Sequence, residues 1–185
     1  MIAQFKHELR KELLVKRRKL CNNPELKRSK DKKIFTKLNA LPEFTEADLV
    51  LTYMSTEIEV DTAPIIKFCH KNSISVAVPV IFVSDCDSFE MMEFFCLTKD
   101  FDLDCSEAVD CNPQNSKGKI CCIVPALAFE SKENSRRLGY GGGYYDRFLR
   151  ANANLSKIGL CYSEFINNNL PIESHDEYVD IVITD

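Results

Sequence analysis

Short apolar runs alternate along this chain with segments of helical period, and this alternation narrows the possible folds more than any other feature. Runs of strand length occupy 49–53, 75–80, 91–97, 120–124, 157–161 and 179–183. Helical patterns occupy 3–20, 25–40, 62–71 and 144–151. Strands that alternate with helices predict an α/β fold, a single layered domain over 1–185 with a mostly parallel central sheet flanked by helices. In such sheets ligands sit beyond the carboxyl ends of the strands. Tyr53-Met54, the 125–129 segment and a glycine-rich stretch all follow strands, so they can meet on one rim.

The first helical pattern carries two messages. Phe5, Leu9, Leu13 and Leu20 form an apolar stripe expected to face the core. Lys6, Arg10 and Arg17 are offset by four and seven residues and share another face. Lys6 and Arg10 have no acid at i+4 to neutralise them, whereas Lys16, Arg18 and Lys19 read as a solvated face. Asn23-Pro24 ends the pattern, and Thr62 is a plausible cap for the third helix. Residues 99–119 hold five acids, a proline and no period, and read as a surface loop.

Four of the six glycines fall within five consecutive positions, Gly139, Gly141, Gly142 and Gly143. Such density lets backbone N–H groups turn towards a ligand in conformations closed to other residues. Arg137 adds a planar fork suited to phosphate oxygens, and a helix follows at once, so its free amides would meet an anion. A plain glycine turn would also fit the glycines, but it needs neither Arg137 nor the Tyr144-Tyr145-Asp146 triplet. No Gly-Lys-Ser/Thr follows, and the glycine spacing is narrower than in the dinucleotide motif. Beside phosphates, Asp146 would be a Mg²⁺ ligand. Without them it would be a first-turn carboxylate stabilised by the helix dipole.

The segment from Arg137 through Leu138, the glycines and Tyr140 to Asp146 resembles the signature of the 5-formyltetrahydrofolate cyclo-ligase family, the 5,10-methenyltetrahydrofolate synthetases. Further likenesses occur in the family's order: the basic helix around Lys6, Arg10 and Arg17, then 59–62, 124–129, Leu170-Pro171 with His175-Asp176, and 179–184. The resemblance implies ATP- and Mg²⁺-dependent conversion of 5-formyltetrahydrofolate, polyglutamylated or not, into 5,10-methenyltetrahydrofolate, ADP and phosphate. It also implies an isomerase- or CoA-transferase-like layered fold. Lys6, Arg10 and Arg137 would hold phosphates. Leu138, Gly139, Tyr140, Gly141, Gly142, Gly143, Tyr144 and Tyr145 would wrap the triphosphate, and 140–144 also the formyl end of the folate. Arg137, Tyr144 and Tyr145 would be catalytic, Asp146 and Asp176 would bind Mg²⁺, and Met54 and Glu59 would line the pterin side. Several positions depart from the family pattern: Val80 stands where a basic residue is usual, Phe165 where glutamine is common and Asp104-Cys105 where Glu-Pro is frequent, and the loop before Arg137 is longer than in many members.

Composition bounds the alternatives. A net charge of −4 argues against non-specific nucleic-acid binding. No apolar run approaches a membrane span, and the N-terminus does not read as a secretion signal. A cytoplasmic monomer is expected. Nine cysteines, odd in number and without a Cys-x-x-Cys pair, read as reduced small hydrophobes and not as disulfides or a zinc site. Two rival readings remain: an isomerase- or transferase-like enzyme without ATP, and a binding module that turns nothing over. The first gives Lys6 and Arg10 no role, and the second leaves two candidate Mg²⁺ carboxylates idle.

Overall fold

The computed structural model describes residues 1–83, 90–98, 103–104, 113, 118–131 and 135–185. Helix α1 (Ile2–Cys21) is followed by α2 (Pro24–Leu38), whose start is set by the Asn23 side chain accepting from Leu26 N at 3.1 Å and by Pro24 in the first turn. After a short α3 (Pro42–Thr45) come β1 (Leu49–Leu51), α4 (Ala63–Lys71), β2 (Ser75–Val83), β3 (Glu90–Leu97), β4 (Leu103–Asp104), β5 (Ile120–Val124), β6 (Ala128–Phe129) and β7 (Ser135–Leu138). Helix α5 (Tyr144–Ala151), β8 (Ser156–Leu160), a 3-10 turn (Ser163–Phe165), β9 (Tyr178–Val179) and β10 (Ile181–Ile183) complete the order.

The main sheet runs β10-β8-β5-β1-β2-β3-β4, parallel from β10 to β2 and antiparallel across β3 and β4. The layered, mostly parallel α/β expectation therefore holds. Every residue of β1 and β5 is buried, as covering on both faces requires. Cys121 and Cys122 act there as small hydrophobes.

Several expectations need correction. The 179–183 run is two strands: Asp180 turns the chain between β9 and β10, which belong to different sheets, and its carboxylate accepts from Lys157 N at 2.7 Å. A second, three-stranded sheet β6-β7-β9 was not foreseen. Its central strand β7 reads Ser-Arg-Arg-Leu, with no apolar run to reveal it. Thr62 stands at the N-cap of α4, but its hydroxyl donates to Tyr53 O at 2.7 Å and makes no cap bond; the first helical amide, Ala63 N, donates instead to Asp61 Oδ1 at 3.0 Å. Cys96 is disulfide-bonded, contrary to the reading of uniformly reduced thiols, while Cys21, Cys69, Cys121, Cys122 and Cys161 are free. Most of the 99–119 segment lies outside the described residues.

The stripe on α1 holds for Leu9, Leu13 and Leu20, which pack in or against the core, but not for Phe5, which is 59% exposed. Lys6 and Arg17 are buried beside Leu13. The cationic face of α1 is turned inwards because the helix crosses the carboxyl-end rim of the sheet, where backbone carbonyls and carboxylates await it.

Candidate active site

From β1 the chain moves to β2 on one side, then returns to β5 on the other, so the strand order reverses between β1 and β5. At such a reversal the loops leaving adjacent strands part and open a crevice. The loop after β1 brings Glu59 to it, and Pro125 ends β5 there. Lys6 and Arg10 of α1, residues 137–146, Glu173, His175 and Asp176 close a cleft of about 350 Å³. A larger cleft of about 690 Å³ lies at the opposite ends of the strands, beside Pro42, Glu46, Ile120 and Ser156, and contains none of the predicted residues.

Strand β7 delivers the glycine loop, and α5 begins directly after it. Gly141 (φ +116°) and Gly143 (φ +67°) adopt positive φ, where a Cβ would be strained. Gly143 is the N-cap of α5 and offers no side-chain acceptor, so the amides of the first turn remain open to an anion. Arg10 Nε donates to Gly139 O at 2.9 Å and ties the loop to α1. Arg147 Nη1 donates to Gly142 O at 3.1 Å and stacks over the Tyr144 ring.

Arg137 and Lys6 are paired with carboxylates of the cleft. Arg137 Nη2 lies 2.7 Å from Asp146 Oδ1, which also accepts from Glu177 N at 3.1 Å. Lys6 Nζ lies 2.6 Å from Asp176 Oδ2 and 2.9 Å from Glu173 Oε2. The pairing by Lys6 holds the Glu173 carboxyl below its usual range. Lys6, without an acid at i+4, thus finds two acids from the far end of the chain. Glu173, His175 and Asp176 place one ligand atom each within 4.8 Å of one another, a set that does not include Asp146.

Among the described residues that line the cleft, two donors are left over. Arg137 Nε and Tyr145 Oη are buried without a hydrogen-bond partner, although both residues line the cleft. Buried donors are nearly always satisfied, so this pair marks a place for an acceptor. Burial raises the Tyr145 pKa well above its ordinary value, which keeps the hydroxyl a donor at neutral pH. Tyr140 is raised too, although 44% of it is exposed, by desolvation of its hydroxyl end and then by the charge of Glu59.

Glu59 is buried and accepts from Thr56 N and Thr56 Oγ1, each at 2.8 Å, through a single oxygen. Met54 is 53% exposed and does not line the cleft. Val80 lies on β2 opposite Glu93 and is likewise absent from the cleft. Glu173 was missed in the sequence. Its only signal was an acid three positions before Asp176. Among the described residues no free thiol is ready as a nucleophile: burial pushes Cys122 and Cys161 up to about 12.

Comparison with known proteins shows the family and the fold. The model of the 5-formyltetrahydrofolate cyclo-ligase family matches residues 2–185. A probable 5-formyltetrahydrofolate cyclo-ligase of Schizosaccharomyces pombe is 29% identical over 163 residues, 78% of each chain. The solved 5,10-methenyltetrahydrofolate synthetase of Mycoplasma pneumoniae superposes with a TM-score of 0.71 at 28% identity, covering 97% of this chain and 98% of that one. The synthetase of Aquifex aeolicus gives 0.70 at 26% identity, covering 96% and 88%.

Proposed function

Because the chain belongs to the 5-formyltetrahydrofolate cyclo-ligase family, we propose that it closes 5-formyltetrahydrofolate to 5,10-methenyltetrahydrofolate at the expense of ATP, with Mg²⁺, in the cleft at the β1/β5 reversal. The observation that carries this reading is the pair of buried, unpartnered donors, Arg137 Nε and Tyr145 Oη, beside a glycine loop at a helix N-terminus. Phosphate or formyl oxygens are the acceptors such donors require.

A formamide oxygen is a poor leaving group. In the proposed route it attacks the γ-phosphorus as ADP departs. The neighbouring side-chain nitrogen then attacks the formyl carbon and gives up its proton, and the C–O bond breaks to release phosphate. Both steps call for positioning and charge neutralisation and for no covalent nucleophile, which agrees with the buried, protonated thiols. Arg137 and the loop amides of 139–143 hold the triphosphate, Lys6 and Arg10 reach it from α1, and Tyr144 and Tyr145 orient the formyl end. Glu59 accepts from pterin N–H groups through its remaining oxygen lone pairs.

The carboxylates fit Mg²⁺, a hard cation that prefers oxygen ligands and keeps phosphate oxygens and water in its shell. Asp146 and Asp176, with Glu173 beside them, would hold it. When bound, it supplies neutralisation of the developing phosphate charge. We place the enzyme in the cytoplasm as a monomer that takes mono- or polyglutamylated folate. No helix among the described residues is long and apolar enough to cross a membrane. Appearance of the methenyl absorbance on mixing protein, 5-formyltetrahydrofolate and Mg-ATP, and not when ATP or Mg²⁺ is withheld, tests the reading. Turnover without ATP would return the isomerase-like alternative.

A further inference from the structure

Arg17 is 1% exposed, yet among the described residues its hydrogen bonds go to carbonyl oxygens and none to a carboxylate. Nη2 donates to Ala126 O at 2.6 Å and to Leu127 O at 3.1 Å, Nε to Leu127 O at 3.2 Å, and Nη1 to Ile58 O at 3.1 Å. The guanidinium also lies over the Phe165 ring, 4.8 Å from its centroid. Burying a cation without a carboxylate is costly, and a site that needed only packing would favour an apolar side chain.

The partners of Arg17 belong to the two walls of the cleft. Ile58 directly precedes Glu59, on the loop that leaves β1, and Ala126 directly follows Pro125, at the end of β5. These walls leave neighbouring parallel strands that diverge at the reversal, so no ladder hydrogen bond sets their separation beyond the strand ends. A planar fork with donors on two sides can span such a gap, which the point charge of a lysine cannot. From the other side, the Tyr162 hydroxyl lies 3.0 Å from Glu59 O and 2.8 Å from Asp31 Oδ1. The backbone carrying Glu59 is thus held on both flanks, while the glycine loop is tied to α1 separately, by Arg10.

We propose that Arg17 is a positioning residue that sets the distance between the Glu59 wall and the Pro125 wall, and thereby the fit of the folate and not of the nucleotide. Phe165 beneath the guanidinium is part of the device: an apolar ring there keeps the fork flat between the carbonyls. The inference rests on the reading that Glu59 faces the pterin.

The test compares Arg17→Lys with Leu13→Ala, which loosens the same helix but removes no hydrogen bond to either wall. Arg17→Lys should raise KM for 5-formyltetrahydrofolate by about tenfold or more, in keeping with the cost of a misplaced binding wall, and leave KM for Mg-ATP within about twofold. Leu13→Ala should lower Tm and leave the folate KM in place. Where Arg17→Lys does not fold, Arg17→Met, which buries no charge, carries the same comparison. An unchanged folate KM, equal rises for both substrates, the same folate shift in Leu13→Ala, or failure of both Arg17 variants to fold would each overturn the inference. Absence of any turnover in the unaltered protein overturns the proposed function as well, whereas a normal wild type with indifferent Arg17 variants overturns this inference alone.

Discussion

A Cβ at Gly143 would have to be accommodated at φ +67°, with Arg147 Nη1 3.0 Å away. Alanine there should cost about 1 kcal/mol of stability and lower kcat/KM by about tenfold, because the loop amides would no longer converge. Gly142 differs. Its φ is not positive, but a Cβ would run into the Tyr144 ring, so Gly142→Lys requires that ring to leave its stack with Arg147. The lysine variant should therefore fold with ordinary stability and lose affinity for whatever packs on Tyr144. Equal kinetics of both variants and wild type would reduce the loop to a connector. Tyr145→Phe separates ligand binding from folding. Its hydroxyl has no partner in the free protein, so removal should leave stability unchanged or raise it by up to about 1 kcal/mol. The same change should lower kcat/KM by about tenfold or more if the donor meets the ligand. Full activity would show that the orphaned hydroxyl has no ligand to meet.

At the scale of elements, α1 acts as a strut whose inward side carries cations beside its leucines. Lys6 holds 173–176, Arg10 holds the glycine loop and Arg17 holds the two crevice walls. Both candidate metal carboxylates are neutralised in the free protein by the residues proposed to meet phosphate, Asp176 by Lys6 and Asp146 by Arg137. Metal and nucleotide binding would then exchange partners together: carboxylates turn to the cation and cations to the phosphates. Lys6→Met leaves Glu173 and Asp176 facing one another without their lysine, with the His175 ring 3.8 Å from Glu173 as the neighbouring partner. Mg²⁺ alone should accordingly raise the Tm of Lys6→Met more than that of wild type, while KM for ATP rises by about tenfold for one lost charge-assisted contact. A smaller metal-induced shift in the variant would mean that Lys6 does not compete with the metal.

Across the whole molecule, the buried thiols set an alkaline limit. Cys69, Cys122 and Cys161 are raised by burial from an ordinary 9.0 to about 12. A raised folded-state pKa contributes stability that is fully present below the unfolded value and is lost as pH climbs through the folded one. The thiols' contribution to stability should thus be flat below pH 9 and fall between 9 and 12, each thiol steepening the loss by up to about 1.4 kcal/mol per pH unit. Urea midpoints across that range measure it. Replacing Cys122 with alanine should make the fall shallower even as it removes packing, and an unchanged slope would refute the assignment.

The apolar runs and helical periods of the sequence already determined the layered, mostly parallel sheet, because burial on two faces leaves that mark in any strand long enough to show it. The glycine density and the Tyr-Tyr-Asp triplet likewise determined where the loop meets a helix, since positive φ and free first-turn amides are local properties. Strand β7 stayed hidden because its pairing partners, not its own residues, make it a strand. Asp180 stayed hidden as a divider because strands on either side of it look alike until each finds its sheet. The inward turn of Lys6 and Arg17 depended on carbonyls and carboxylates more than forty residues away in sequence, as did the entry of Glu173 into the cleft. Periodicity records which face of a helix is apolar. Only tertiary structure decides what that helix is packed against, because a buried cation is stable only where distant groups have already been brought to meet it.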